Sequence, residues 1–315
     1  MKQSLIDKNL LFVTGKGGVG KTTVATALAW LAAQNGKKVL IAETYARGDL
    51  AKAFEVPETP YSGKKINENI VGMTLDTEAS LREYLKLFFH VPVVGRIGPL
   101  ARAFDFLASA APGVKEILSI GKFTWEVKAK NYDLVIVDAP PTGHIIGHLC
   151  APQAINELVK VGPVRSQTQW MIDILSDPSK TSVVVVTTAE EMPVNETLEL
   201  IAKLESQTTV DLGAIIVNQV LPELFNSKEE EVFDKISDEN AINEVKKNFD
   251  LDITSVVEAA KLAVGLRRQR AKHLQYLTSQ LVSSIEVLYL PYHFDAFYGL
   301  KRINAVCKDL SEELM

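Results

Sequence analysis

Cysteine is nearly missing from this sequence. Cys150 and Cys307 are the two among 315 residues, and no Cys-x-x-Cys occurs. Neither a disulfide framework nor a cysteine zinc site can be assembled from them within one chain. Met1 to Lys8 offers no apolar stretch ahead of a cleavage site, so the expected location is the reducing cytoplasm. Long hydrophobic runs are also lacking. The most apolar charge-free helical stretch, Thr22 to Gly36, is about 15 residues, short of the roughly 20 that span a bilayer, which leaves membrane contact to a partner. An excess of positive charge is absent as well: 34 Lys and Arg stand against 39 Asp and Glu, a net charge of −5. No global field draws the chain to nucleic acid, and none is expected as a partner. With 47% hydrophobic and 23% charged residues and no repeats, the composition is that of a globular protein with a large core.

What is present is a rhythm of short apolar runs with helical stretches between them: Leu10–Thr14, Val39–Ala42, Val71–Leu75, Leu134–Val137, Val183–Val186, Ala214–Val217 and Val287–Leu290. Continuous runs, as opposed to alternation, are what strands covered by helices on both faces require. The fold class expected is α/β, a doubly wound and mainly parallel sheet of about seven or more strands. Two helical interruptions, about residues 80–130 and 151–176, form a helical subdomain of one domain that spans residues 1–315. The first is marked by Leu81, Tyr84, Leu85 and Phe88 at helical spacing and continues through Gly98 to Ala111. A third helical stretch, Ser227 to about Ser284, carries Glu229-Glu230-Glu231 and Arg267-Arg268-Gln269-Arg270, which read as solvated faces.

Gly15-Lys16-Gly17-Gly18-Val19-Gly20-Lys21-Thr22-Thr23 matches G-x-x-x-x-G-K-[ST] between a strand and an alanine-rich helix, a pattern expected by chance in roughly 0.01 of chains this long. Successive peptide N–H groups must converge on phosphate oxygens there, and side chains at Gly15, Gly18 and Gly20 would obstruct the turn. Lys21 would lie along the β and γ phosphates and the Thr22 hydroxyl would ligate Mg²⁺, with the helix N-terminus adding attraction for anions. The ligand is a nucleoside triphosphate. Downstream, Asp138 ends the hydrophobic run of Tyr132 to Val137, where a carboxylate can hold water of the Mg²⁺ shell. The loop Ala139-Pro140-Pro141-Thr142-Gly143-His144 can register a γ-phosphate.

Lys16, a second cation inside the loop, resembles the signature of the deviant Walker A group that includes ParA, MinD, NifH and ArsA. The Asp138-to-His144 pattern is similar to switch II of the ArsA family. Further matches are Ala111 to Glu116, Glu191 to Thr197, Val217-Asn218-Gln219 and Leu290-Pro291, so that the likeness runs from about Leu10 to Leu310. This family contains arsenite-efflux ATPases and ATPases that guide tail-anchored membrane proteins. The resemblance implies that Lys16 reaches a partner's phosphates in a nucleotide-sandwiched dimer, and that Asn218 and Pro291 hold the adenine. It also implies an ATP- and Mg²⁺-dependent ATPase whose cycle opens and closes the helical subdomain, as a homodimer or a heterodimer with a related subunit.

The chain departs from its relatives at switch I, where Ala42-Glu43-Thr44-Tyr45-Ala46-Arg47-Gly48-Asp49-Leu50 replaces an aspartate-rich segment. Either Glu43 or Asp49 can orient the attacking water, and slow hydrolysis is expected. Without a cysteine cluster, metalloid efflux is disfavoured, since a soft metalloid takes about three thiolates. Leu85 to Phe89, Val91 to Val94, and Leu100 to Ala111 with Phe104 and Phe106 supply apolar surface that is either a groove for a hydrophobic helical client or simply core. His144-x-x-x-His148 lacks a third metal ligand. Two other classes compete with the client-handling switch. One is a MinD- or ParA-like positioning ATPase, against which the acidic tail Lys308 to Met315 argues, and which would need Arg267, Arg268, Arg270 and Lys272 exposed for DNA. The other is a non-hydrolysing partner subunit.

Overall fold

All seven apolar runs become strands of one sheet in the computed structural model, which describes residues 4–45, 48–89, 113–249, 253–282, 285–295 and 298–314. The strands are β1 (Leu10–Gly15), β2 (Val39–Glu43), β3 (Lys64–Lys65), β4 (Ile70–Thr74), β5 (Leu134–Asp138), β6 (Thr181–Thr188), β7 (Asp211–Val220) and β8 (Glu286–Pro291). They lie in the order β3-β4-β2-β5-β1-β6-β7-β8. Every pairing is parallel except β3 with β4. The strand that the apolar pattern did not announce is β3, two exposed lysines on the sheet edge, where charge discourages further pairing.

The helices are α1 (Lys21–Gln34), α2 (Asp49–Ala53), α3 (Thr77–Phe89), α4 (Val114–Lys128), α5 (Thr142–Leu158), α6 (Pro163–Leu175), α7 (Glu191–Gln207), α8 (Ser227–Ile236), α9 (Glu239–Phe249), α10 (Thr254–Gln280) and α11 (Gly299–Leu314). Alternate residues of each strand feed opposite layers. Leu11, Val13 and Ile136 pack with Leu28 of α1 and Ile303 of α11. Leu10, Phe12 and Val137 pack with Phe123, Leu149 and Leu200 of α4, α5 and α7. A strand buried on both sides has no polar positions to spare, which is why the runs are continuous. Truncating a fully buried ring such as Phe12 costs about 3–5 kcal/mol.

α3 and α4 occupy the first helical interruption, whereas Val91 to Val94 and Gly98 to Ala111 lie outside the described residues. The second interruption begins nine residues earlier than expected, at Thr142 instead of Ala151, and is split at Val159 into α5 and α6. Pro152 sits inside α5, although its ring suits the first turn of a helix better. α3, α4, α5 and α6 enclose an apolar cavity of about 170 Å³ lined by Leu81, Tyr84, Ile117, Trp125, Ile155 and Met171. Among the described residues no helix is long and apolar enough to cross a membrane.

The chain leaves β1 towards β2 on one side of the sheet and later crosses to β6 on the other. A crevice opens beyond the carboxyl end of β1 at this reversal, the place where open α/β sheets bind ligands.

Candidate functional site

The loop between β1 and α1 fills that crevice. At its entrance, a β-carbon on Gly15 would stand 2.0 Å from the carbonyl oxygen of Val186 on β6, so only glycine allows the two strands to pair there. At its exit Gly20 has φ +93° and caps α1, and a β-carbon on it would meet the Asn218 amide nitrogen at 2.3 Å. The loop is thus a fixed backbone cradle leading into a helix N-terminus, an arrangement that attracts phosphate.

Its side chains separate by role. Lys21 Nζ donates to the Lys16 carbonyl at 3.2 Å and closes the loop on itself. Thr22 Oγ1 donates to Asp138 Oδ2 at 2.5 Å, joining the first turn of α1 to the end of β5. Asp138 is pushed up to about 6, chiefly by burial. The Thr22 hydroxyl and Lys21 oppose that rise, and the charges of Glu43 and Asp49 reinforce it. A buried carboxylate whose hydrogen bond comes from a neutral hydroxyl, with two more carboxylates nearby, suits a hard divalent cation with oxygen ligands. Thr22 and Asp138 therefore fit Mg²⁺.

Neighbouring loops are stitched to this centre. Thr44 Oγ1 donates to the Asp138 carbonyl at 2.8 Å, and Thr14 Oγ1 donates to that of Pro140 at 2.7 Å. The two switch I candidates occupy different environments. Glu43 is 3% exposed; its Oε1 accepts the Asp49 backbone N–H at 3.2 Å and its Oε2 the Thr74 hydroxyl at 3.5 Å. Asp49 opens α2, pairs with Lys52 at 3.3 Å, and lines a pocket of about 660 Å³ beside Thr22 and Thr23. The far wall of that pocket includes Gln219, Tyr292 and Phe294.

Asn218 does not face that space. It is buried, its Nδ2 donates to the Val19 carbonyl at 2.8 Å, and its Oδ1 accepts from its neighbour Gln219 N at 3.0 Å. Gln219, with the unusual φ of +60°, lines the pocket in its place. Pro291 ends β8, one residue before the pocket wall begins at Tyr292.

Lys16 turns away from Lys21. Its Nζ lies 2.5 Å from Oε1 of Glu196 on α7, and Glu196 Oε2 accepts the Thr142 hydroxyl at 3.0 Å. Glu196 lies within the Glu191-to-Thr197 stretch noted in the sequence, yet nothing there marked it as a site residue. The available signal is topological: β6 neighbours β1, so the first turns of the helix after β6 stand beside the loop after β1.

The remaining candidates are dispersed. Cys150 lies on α5 and Cys307 on α11, both as free thiols. Among the described residues no group of three or more His, Cys, Asp or Glu is arranged to hold a metal. Arg267, Arg268 and Arg270 are engaged with Glu223, Glu230 and Glu190 at 3.0–3.1 Å.

Comparison with known proteins identifies a family. The profile of the anion-transporting ATPase family, ArsA_ATPase, matches residues 8–168 and 160–268. The ATPase BagA of Mycobacterium tuberculosis is 38% identical over 224 residues, covering 68% of this chain and 65% of that protein. The ATPase GET3 of Mycosarcoma maydis is 28% identical over 257 residues, 70% of this chain and 75% of its own length. A putative arsenical pump-driving ATPase of Halobacterium salinarum is 25% identical over 274 residues, 81% of this chain and 42% of its own. The match thus spans somewhat under two thirds of the mycobacterial protein and less than half of the archaeal one. On the extent of the profile match, the chain belongs to the anion-transporting, or ArsA, ATPase family.

Proposed function

We propose that this chain binds ATP with Mg²⁺ and hydrolyses it as a dimeric molecular switch that acts in the cytoplasm. The observation that carries the reading is the 2.5 Å contact between Thr22 and Asp138 at the foot of the glycine cradle, with Asp49 opening onto the same space. Backbone N–H groups from Gly17 to Thr23 receive the phosphates and Lys21 leaves the Lys16 carbonyl to neutralise them. Thr22 and Asp138 would hold Mg²⁺, which when bound neutralises charge developing on the phosphate oxygens. Asp49 is the better placed of the two switch I carboxylates to orient water, because Glu43 is buried and engaged by Asp49 N and Thr74. The base enters the pocket bounded by Gln219, Tyr292 and Phe294. Lys16 supplies a cation to the phosphates bound by a partner subunit, either a second copy or a related chain.

The output of the switch is the handling of a hydrophobic helical protein segment. The apolar cavity among α3, α4, α5 and α6, with room for an apolar side chain of such a segment, supports this, as does the proximity of its helices to the site. Lys115 of α4 stands 5.3 Å above the ring of Tyr45 in switch I, so a rearranged switch I would pull on a cavity wall. A positioning role on DNA is less well supported, since three of the four cations it needs, Arg267, Arg268 and Arg270, are engaged by the chain's own carboxylates.

The test is phosphate release and sedimentation of the purified protein with ATP and Mg²⁺, with Lys21→Ala alongside. Mg²⁺-dependent turnover with ATP-dependent dimerisation, both lost in Lys21→Ala, is expected. Wild-type protein that binds no ATP would overturn the reading. Capture of an apolar helical peptide in one nucleotide state only is expected of the client role, and no capture in any state would remove it.

A further inference from the structure

Glu196 is a carboxylate shared by the phosphate loop and the loop after β5. Its Oε1 takes the Lys16 ammonium at 2.5 Å and its Oε2 the hydroxyl of Thr142, the first residue of α5, at 3.0 Å. The three groups come from three segments with no local reason to meet, Lys16 and Glu196 being 180 positions apart. The two donors hold the Glu196 carboxyl below the usual carboxylate range, Lys16 contributing more.

The energetics suit an exchange. Both side chains of the pair are about 30% exposed, 29% for Lys16 and 31% for Glu196, so water competes for each charge and the pair shifts an equilibrium by less than about tenfold. A triphosphate offers several charged oxygens in a drier site, where a lysine is held more strongly. The contact is firm enough to set the resting position of Lys16 and weak enough to be surrendered.

We propose that Glu196 is a positioning residue for Lys16. It holds the ammonium within its own protomer until a partner's phosphates take it, and the carboxylate then keeps its contact with Thr142 of the switch loop. The inference rests on the reading of Lys16 as a phosphate contact between subunits and adds the residue against which that contact must compete. Glu196 acts through Lys16, the side chain it holds.

A double-mutant cycle tests this, with the ATP- and Mg²⁺-dependent dimer dissociation constant measured by sedimentation for wild type, Glu196→Gln, Lys16→Met and the double variant. Glutamine keeps the size of the side chain and an acceptor for Thr142 while removing the charge. Glu196→Gln is expected to tighten the dimer by roughly 3- to 10-fold, Lys16→Met to weaken it, and the double variant to match Lys16→Met. That non-additivity is the signature of one residue acting through another, and a general packing role for Glu196 would not produce it. Thermal unfolding of each variant accompanies the cycle to verify folding. An unchanged Glu196→Gln dimer, or an equal effect in the Lys16→Met background, overturns the inference while leaving the proposed function intact. Lys16→Met protein that dimerises like wild type overturns the intersubunit contact and the inference together. Failure of the wild type to bind ATP is a different result and sinks the proposed function itself.

Discussion

The Asn218 amide nitrogen lies 2.3 Å from the point where a β-carbon on Gly20 would stand. The same nitrogen donates to the carbonyl of Val19, the preceding residue. The end of β7 thus braces the phosphate loop from below, and the loop can pass only because Gly20 has no side chain. Asn218 thus contacts the cradle, while Gln219 lines the neighbouring pocket.

Gly20→Ala is expected to combine a left-handed backbone strain of about 1–3 kcal/mol with displacement of Asn218, and to lower ATP affinity at least tenfold. Asn218→Ala is expected to destabilise by about 1–3 kcal/mol, the cost of leaving the Val19 carbonyl unsatisfied. Combining the two should cost less than the sum, since the alanine at 218 makes room for the one at 20. Thermal unfolding and ATP titration measure both quantities. An Asn218→Ala protein of native stability with selectively weakened adenine binding would show that the residue reads the base instead.

Thr22→Val keeps the shape of the side chain and removes the hydroxyl that donates to Asp138. Phosphate release at fixed Mg²⁺ is expected to fall on the order of 100-fold, with part of the loss recovered at higher Mg²⁺. Asp138→Asn should fall as far without recovery, because an amide cannot replace the charge. Equal Mg²⁺ dependence in wild type and Thr22→Val would remove Thr22 from the metal site.

Much of this arrangement was legible in the sequence for physical reasons. β1, β2, β5 and β6 are buried on both faces, so their apolar runs have no competing interpretation, and a glycine cradle after β1 can be recognised from its spacing alone. Other features left little trace. β3 is two exposed lysines without a pattern. The start of α5 lies directly behind two prolines that signal a loop, and Pro152, which suits a helix start, sits in its interior. Glu196 looks like any acidic residue on a helix surface until β6 is placed next to β1. The orientation of Asn218 depends on contacts 199 positions distant, which no local signal records.

Glu43 and Asp49 can be separated by experiment because their surroundings differ. Asp49→Asn is expected to lower kcat by about 100-fold or more, the range lost with a group that orients a proton acceptor, while Tm stays near wild type because the side chain is half-exposed and its pair with Lys52 lies at the surface. Glu43→Gln should instead lower Tm, since its carboxylate is buried and accepts from Asp49 N and Thr74. Phosphate release and thermal unfolding on the same two variants settle the roles. A reversed pattern would make Glu43 the residue that positions water.

His148 provides a pH dependence with a definite sign. It is buried on α5, and burial lowers its pKa below the ordinary value of about 6.5. The charges of Lys115 and His144 add to that effect and Glu116 opposes it. Folding therefore favours the neutral ring, and the unfolded chain binds the extra proton first as pH drops. The stability tied to this residue is complete above about pH 6.5 and is lost progressively as pH falls through the lower folded value. Urea midpoints measured between about pH 7.5 and pH 5.5 should fall in wild type and fall less steeply in His148→Gln, which cannot be protonated. Since α5 begins at Thr142 in the switch loop, acid should loosen that end of the site before the sheet unfolds. Parallel slopes for the two proteins would assign the acid sensitivity to other groups.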